Sequence, residues 1–137
     1  MLAYMIFIML IMHIIADYML QTDLMAKAKQ KKWWKENYPE KMYENDWMVI
    51  LITHSFEWAF FIQAPLVVYD YLNYGYRESV LVFTIIALIV NTIMHAIVDN
   101  DKANKLAISL LLDQGFHILQ IIMTLVTYWI LFDSSIL

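Results

Sequence analysis

Four long apolar stretches limit what this chain can become. They run over about residues 2–20, 47–71, 79–98 and 106–132. Each has at least roughly the 20 residues that a helix needs to cross a hydrocarbon layer of about 30 Å. Lipid offers the backbone no hydrogen-bond partner, so stretches of this kind are helices rather than open strands. Two Gly and two Pro in 137 residues leave little material for turns, which favours long helices joined by few loops. The expected fold is all-α: an integral-membrane four-helix transmembrane bundle, forming a single domain over residues 1–137 with the lipid bilayer as its surroundings. A soluble all-helical protein is the competing reading. The chain is 62% hydrophobic and 16% charged, whereas soluble domains are nearer half apolar and a quarter charged.

Charge placement gives the orientation. Lys27, Lys29, Lys31, Lys32, Lys35 and Lys41 lie between the first two spans, and Lys102 and Lys105 lie between the last two. The remaining connection carries only Arg77, near Asp70 and Glu78. By the positive-inside rule both lysine-bearing connections face the cytoplasm, and both termini lie on the non-cytoplasmic side. Met1 to Met12 has neither a basic leader nor a following small-residue cleavage site, so it reads as a mature span rather than a signal peptide. There is no cysteine, which excludes disulfides and thiolate metal ligands.

The basic segment over residues 22–46 has two open readings. Thr22 is placed to cap a helix with Asp23 in its first turn. Lysines interleaved with Trp33 and Trp34 suit a helix lying at the headgroup level. They equally suit a solvated loop that only fixes topology. Nucleic acid is a poor partner for so short a patch set against a membrane. Within the spans, Pro65 either kinks its helix or is absorbed by neighbouring groups. Gly115 permits close helix approach but forms no G-x-x-x-G pattern.

Every span carries a histidine with an acid near it: His13 with Asp17, His54 with Glu57, His95 with Asp99, and His117 with Asp113. Spacings of three or four residues put each pair on one helix face. Gln21 extends the first pair into a stripe, Asn91 lies one turn before His95, and Ser109 one turn before Asp113. Counting inward from the lysine-bearing ends at about 1.5 Å per residue puts His13, His54, His95 and His117 at depths of about 12, 10, 8 and 16 Å. Costly side chains thus gather in the cytoplasmic half of the bilayer, where ionisable residues mark function by default. Spans one and three also share H-x-I-x-D, as His13 to Asp17 and His95 to Asp99, which points to two copies of one helical hairpin.

The functional reading of this set is a metal centre. Neutral imidazole is the commonest protein metal ligand, and an adjacent carboxylate can ligate or orient it. The ligand candidates are His13, Asp17, His54, His95, Asp99, Asp113 and His117. A nitrogen and oxygen donor set suits a divalent Zn, Mn, Fe or Ni ion. Such an ion would activate water at neutral pH, with Glu57 or Asp17 as general base. The bland reading makes each histidine an interhelical hydrogen-bond partner and Asp99 an interfacial cap. A proton relay competes with the metal for the same residues.

The pattern H-x-x-A-D-(F/Y)-x-L-Q-T-D-x-M-A-x-x-K, from His13 to Lys29, resembles a family of small bacterial and phage membrane proteins described as a domain of unknown function. His95 with Asp99, and L-D-Q-x-x-H from Leu112 to His117, resemble the same family. The resemblance implies the inner membrane of a bacterium or phage host and supports the polar positions, but it carries no activity. A looser similarity to metal-dependent membrane hydrolases rests on His and Asp borne on transmembrane helices. Three functions stay open: a metal-dependent hydrolase acting on a membrane-adjacent substrate at the cytoplasmic leaflet, a proton- or ion-coupled transporter, and a non-enzymatic regulatory or structural membrane protein.

Overall fold

The computed structural model describes residues 2–132. Met1 and residues 133–137, the two ends of the expected domain, lie outside the described residues. The chain is helical, with no strand among the described residues. Helix α1 (Leu2–Ile14) continues as a π-helix over Ile15–Leu20. Two short helices follow, α2 (Asp23–Ala28) and α3 (Lys31–Asn37), and then a 3₁₀ turn over Lys41–Tyr43. The long helices α4 (Asp46–Tyr74), α5 (Glu78–Ala103) and α6 (Leu110–Phe132) complete the chain. Four helical segments, α1 with its π extension, α4, α5 and α6, are long and apolar enough to cross a membrane. Helix α4 packs against α1 and α5, α6 packs against the same two, and α2 and α3 lie against α4.

The packing is inverted relative to a protein in water. Phe7, Ile52, Phe60, Ile86, Ile89, Leu119 and Ile130 point outward, while all four histidines, Asp70, Asp99 and Asp113 are buried. The apolar interior is built from Met5, Met9, Trp58, Ile62, Leu66, Ile121 and Leu125. Burying polar groups is costly unless they are paired, whereas an apolar coat is the natural surface for a helix in lipid.

Three boundaries differ from the sequence expectation. The stripe of His13, Asp17 and Gln21 is not one α-helical line, because Ile15–Leu20 form a π-helix and Gln21 is already extended at ψ 99°. The wider π turn carries Asp17 to 3.2 Å from His54 of α4, and π segments often occur at functional sites. The last span begins at Leu110 rather than near residue 106. Leu106 takes a left-handed φ of 54° that no helix continues through, and Ser109 Oγ accepts from the Leu112 amide at 3.3 Å, as a helix cap does. Helix α5 runs on to Ala103, past the end of its apolar run. Pro65 does not break α4, which passes through it as one helix.

The connection between α1 and α4 is largely helical. Thr22 Oγ1 accepts from the Met25 amide at 3.2 Å, the cap expected for α2. Trp33 and Trp34 pack against each other and against Tyr38, and Trp34 Nε1 donates to the Ala28 carbonyl at 2.6 Å. Asn104, just after α5, fastens this segment: its Nδ2 donates to the Lys29 carbonyl at 3.1 Å, and its Oδ1 accepts from the Lys31 amide at 2.7 Å.

At the opposite end, the Arg77 guanidinium donates to both oxygens of buried Asp70 and reaches Tyr128 Oη at 3.4 Å. The Tyr128 hydroxyl donates to Asp70 Oδ1 at 2.6 Å. These bonds tie α4 to α6, and the hydrogen bonds that Arg77 donates to Asp70 raise the guanidinium pKa above its ordinary value. The turn between α4 and α5 uses Gly75 at φ 72°, a conformation that glycine adopts without strain.

Candidate metal centre

The cluster is assembled from the ends of four helices. His13 and Asp17 come from α1 and its π extension, His54 from α4, His95 and Asp99 from α5, and Asp113 and His117 from α6. His54, His95, His117 and Asp113 have no exposed surface. Asp17 Oδ1 lies 3.2 Å from His54 Nε2 and 3.8 Å from His95 Nε2. Asp99 Oδ2 lies 3.7 Å from both of those nitrogens. On the other side, Asp99 Oδ1 is 3.6 Å from His117 Nε2, which is 3.5 Å from Asp113 Oδ1. Two groups therefore have potential ligand atoms within 4.8 Å of one another, Asp17 with His54 and His95, and His95 with Asp99 and His117.

The rings stack. His95 packs on Trp58, at 4.4 Å between centroids, and on His117, at 4.1 Å and 19° between planes, and Trp58 and His117 also meet, at 5.4 Å. The three rings form one mutually packed group.

Hydrogen bonding separates the residues that only support the cluster from those left open. Trp58 Nε1 donates to His13 Nδ1 at 2.8 Å, so His13 is the Nε2–H tautomer and that nitrogen donates to Gln114 Oε1 at 3.0 Å. Gln114 Nε2 in turn donates to Asp17 Oδ2 at 3.2 Å and to Asp113 Oδ2 at 3.0 Å. Lys102 Nζ reaches Asp113 Oδ2 and Lys29 Nζ reaches Asp99 Oδ2, each at 2.6 Å. His117 Nδ1 faces Gln120 Oε1 at 3.4 Å, which leaves its Nε2 as the free acceptor, and Gln120 Nε2 donates to the Asn91 carbonyl at 3.3 Å. The Gln21 amide lies 3.2 Å from His54 Nε2.

Six cluster atoms have no hydrogen-bond partner among the described residues: Nδ1 of His54 and His95 and, where carboxylates and imidazoles face each other, Asp17 Oδ1, His95 Nε2, Asp113 Oδ1 and His117 Nε2. Carboxylate oxygens face imidazole nitrogens at 3.2 to 3.8 Å, and these atoms make no hydrogen bond across the gaps. The gaps suit a cation. Ligands held about 2.0–2.1 Å from a tetrahedral ion are separated by about 3.3 Å, and the observed separations run from 3.2 to 3.8 Å. The outer oxygens of Asp17 and Asp113, and Nδ1 of His117, are held by amides or a lysine, the supporting arrangement that metal ligands require. The residues present fit a divalent ion.

Of the expected site residues, the structure brings Asp17, His54, His95, Asp99, Asp113 and His117 together. His13 stands behind them with both ring nitrogens engaged. Glu57 does not join them: it is half-buried and forms none of the cluster's ion pairs, because a three-residue step on α4 turns it to the flank of His54. The sequence reading passed over Lys29, Lys102, Gln114, Gln120 and Trp58. Gln114 was visible as the Q of L-D-Q-x-x-H, whereas nothing in a lysine-rich loop marks Lys29 as the lysine that turns inward.

Fold and site together define an all-helical chain with four helices able to cross a membrane and a buried His/Asp cluster able to hold a metal ion. The chain belongs to the family described as Protein of unknown function (DUF3307), whose model matches residues 5–137. No curated protein and no solved structure matches it.

Proposed function

We propose that this chain is a single-domain, multi-pass protein of a bacterial or phage-host inner membrane that binds a divalent metal ion and hydrolyses a membrane-adjacent substrate. The lysine-bearing connections, by the positive-inside rule, support a cluster in the cytoplasmic half of the bilayer, and the substrate of this reading is an ester, amide or phosphoester reached from the cytoplasmic leaflet. The observation that carries the reading is the set of four buried, unpartnered ligand atoms on Asp17, His95, Asp113 and His117. Leaving such atoms unpaired costs about 1–3 kcal/mol each, a cost that an ion removes.

A divalent ion there supplies a nucleophile by lowering the pKa of water. The chain's own residues orient and shield the site. Gln114 aligns Asp17 with Asp113, and Trp58 covers His95 from the apolar side. Of the two expected general bases, Asp17 stands within the cluster, and it is the one favoured here. A transport pathway is less well supported, because buried Met9, Ile62, Ile121 and Leu125 fill the interior between the cluster and Asp70.

Elemental analysis of the detergent-purified protein tests the reading, alongside hydrolysis assays on ester, amide and phosphoester substrates. Stoichiometric Zn, Mn, Fe or Ni should be present and should be lost in His95→Ala and His117→Ala. Metal-free protein, or activity retained by both variants, would sink the proposal.

A further inference from the structure

We infer that the cluster is built for two divalent ions, bridged by the carboxylate of Asp99. The inference rests on the metal reading above and goes beyond it in number and arrangement. The two oxygens of Asp99 face different partners: Oδ2 faces His54 and His95, while Oδ1 faces His117. One hole is bounded by Asp17 Oδ1, His54 Nε2, His95 Nε2 and Asp99 Oδ2. The other is centred on His117 Nε2, with Asp99 Oδ1 at 3.6 Å and Asp113 Oδ1 at 3.5 Å, and His95 also groups with Asp99 and His117 on this side.

Four of the six unpartnered cluster atoms divide evenly between them. Asp17 Oδ1 and His95 Nε2 belong to the first hole, and Asp113 Oδ1 and His117 Nε2 to the second. A single ion in either hole would leave one buried carboxylate oxygen and one buried imidazole nitrogen unpaired in the other. Two ions satisfy all four. A carboxylate that offers one oxygen to each ion suits the separation of about 3.5–4 Å found in two-metal hydrolytic centres.

The holes are unequal. The first is bounded by four side-chain atoms, two of which, His54 Nε2 and Asp99 Oδ2, also meet Gln21 and Lys29, and the second offers three, the number that leaves a position open. The second ion is therefore the one that meets substrate. It lies beside Lys102, which holds the outer oxygen of Asp113 and is partly exposed. Asp99 is further steadied by Lys29 on Oδ2.

Titration of the metal-free, detergent-solubilised full chain with Mn(II), followed by electron paramagnetic resonance, decides the matter. Two Mn(II) per chain are expected, giving the narrowed hyperfine pattern of a spin-coupled pair. Asp113→Asn should keep one tightly bound ion, with the spectrum of isolated Mn(II). One ion per chain in the unaltered protein, or two ions without coupling, overturns the bridged pair while leaving the metal reading intact. No bound ion overturns both. The readout on the unaltered protein does not depend on any variant folding.

Discussion

Two buried polar groups sit at opposite ends of the bundle, and they are finished differently. At the Arg77 end, both oxygens of Asp70 are hydrogen-bonded, to Arg77 and to Tyr128. At the lysine-rich end, carboxylates and imidazoles face each other with atoms left over. Six of the nine buried side-chain atoms without a partner among the described residues belong to Asp17, His54, His95, Asp113 and His117. A polar group that only holds helices together is expected to be satisfied within the protein, since an unpaired buried group costs more than a hydrogen bond returns. The Asp70 group meets that expectation and reads as a clamp between α4 and α6. The His/Asp cluster does not, and a missing ligand is the simplest account of the difference.

The comparison can be broken by a substitution that hits only the clamp. Arg77→Met leaves Asp70 buried with Tyr128 as its remaining hydrogen-bond partner among the described residues. It should destabilise the protein by about 3 kcal/mol, at the low end for a buried pair because the guanidinium is partly exposed. Metal affinity should be unchanged. Denaturant unfolding in detergent micelles and metal titration read the two quantities separately, and a large loss of metal affinity would mean that the ends are not independent. A smaller effect sharpens the same contrast from the other side. Gln120→Ala removes the partner of His117 Nδ1 without touching a proposed ligand, and should weaken metal binding about 10- to 100-fold. Competition against a chelator measures this. An unaltered affinity would show that Gln120 does not orient the imidazole.

The sequence made the helices and the polar positions legible for one reason: both are written in local order. Runs of apolar residues mark α1, α4, α5 and α6, and steps of three or four residues put a histidine and an acid on each. What it hid is set by packing between helices. The π-helix over Ile15–Leu20 is a shift in backbone hydrogen bonding that leaves no trace in apolar periodicity, yet it brings Asp17 to His54. Lys29 and Lys102 look like topology signals by composition, and both reach carboxylates of the cluster. His13 and Glu57 satisfied the same spacing rule as the ligand candidates. Only tertiary contact shows His13 occupied by Trp58 and Gln114, and Glu57 turned to the side. The repeated H-x-I-x-D motif likewise contributes unequally, since His95 belongs to both groups of close ligand atoms and His13 to neither.

The most direct test of the metal centre is an anomalous difference map from crystals of the protein loaded with Zn(II) or Mn(II). Density is expected among Asp17, His54, His95 and Asp99, and again among Asp99, Asp113 and His117. A map without a peak at either place, with His117 Nε2 drawn into a direct hydrogen bond to Asp99 or Asp113, would contradict the account.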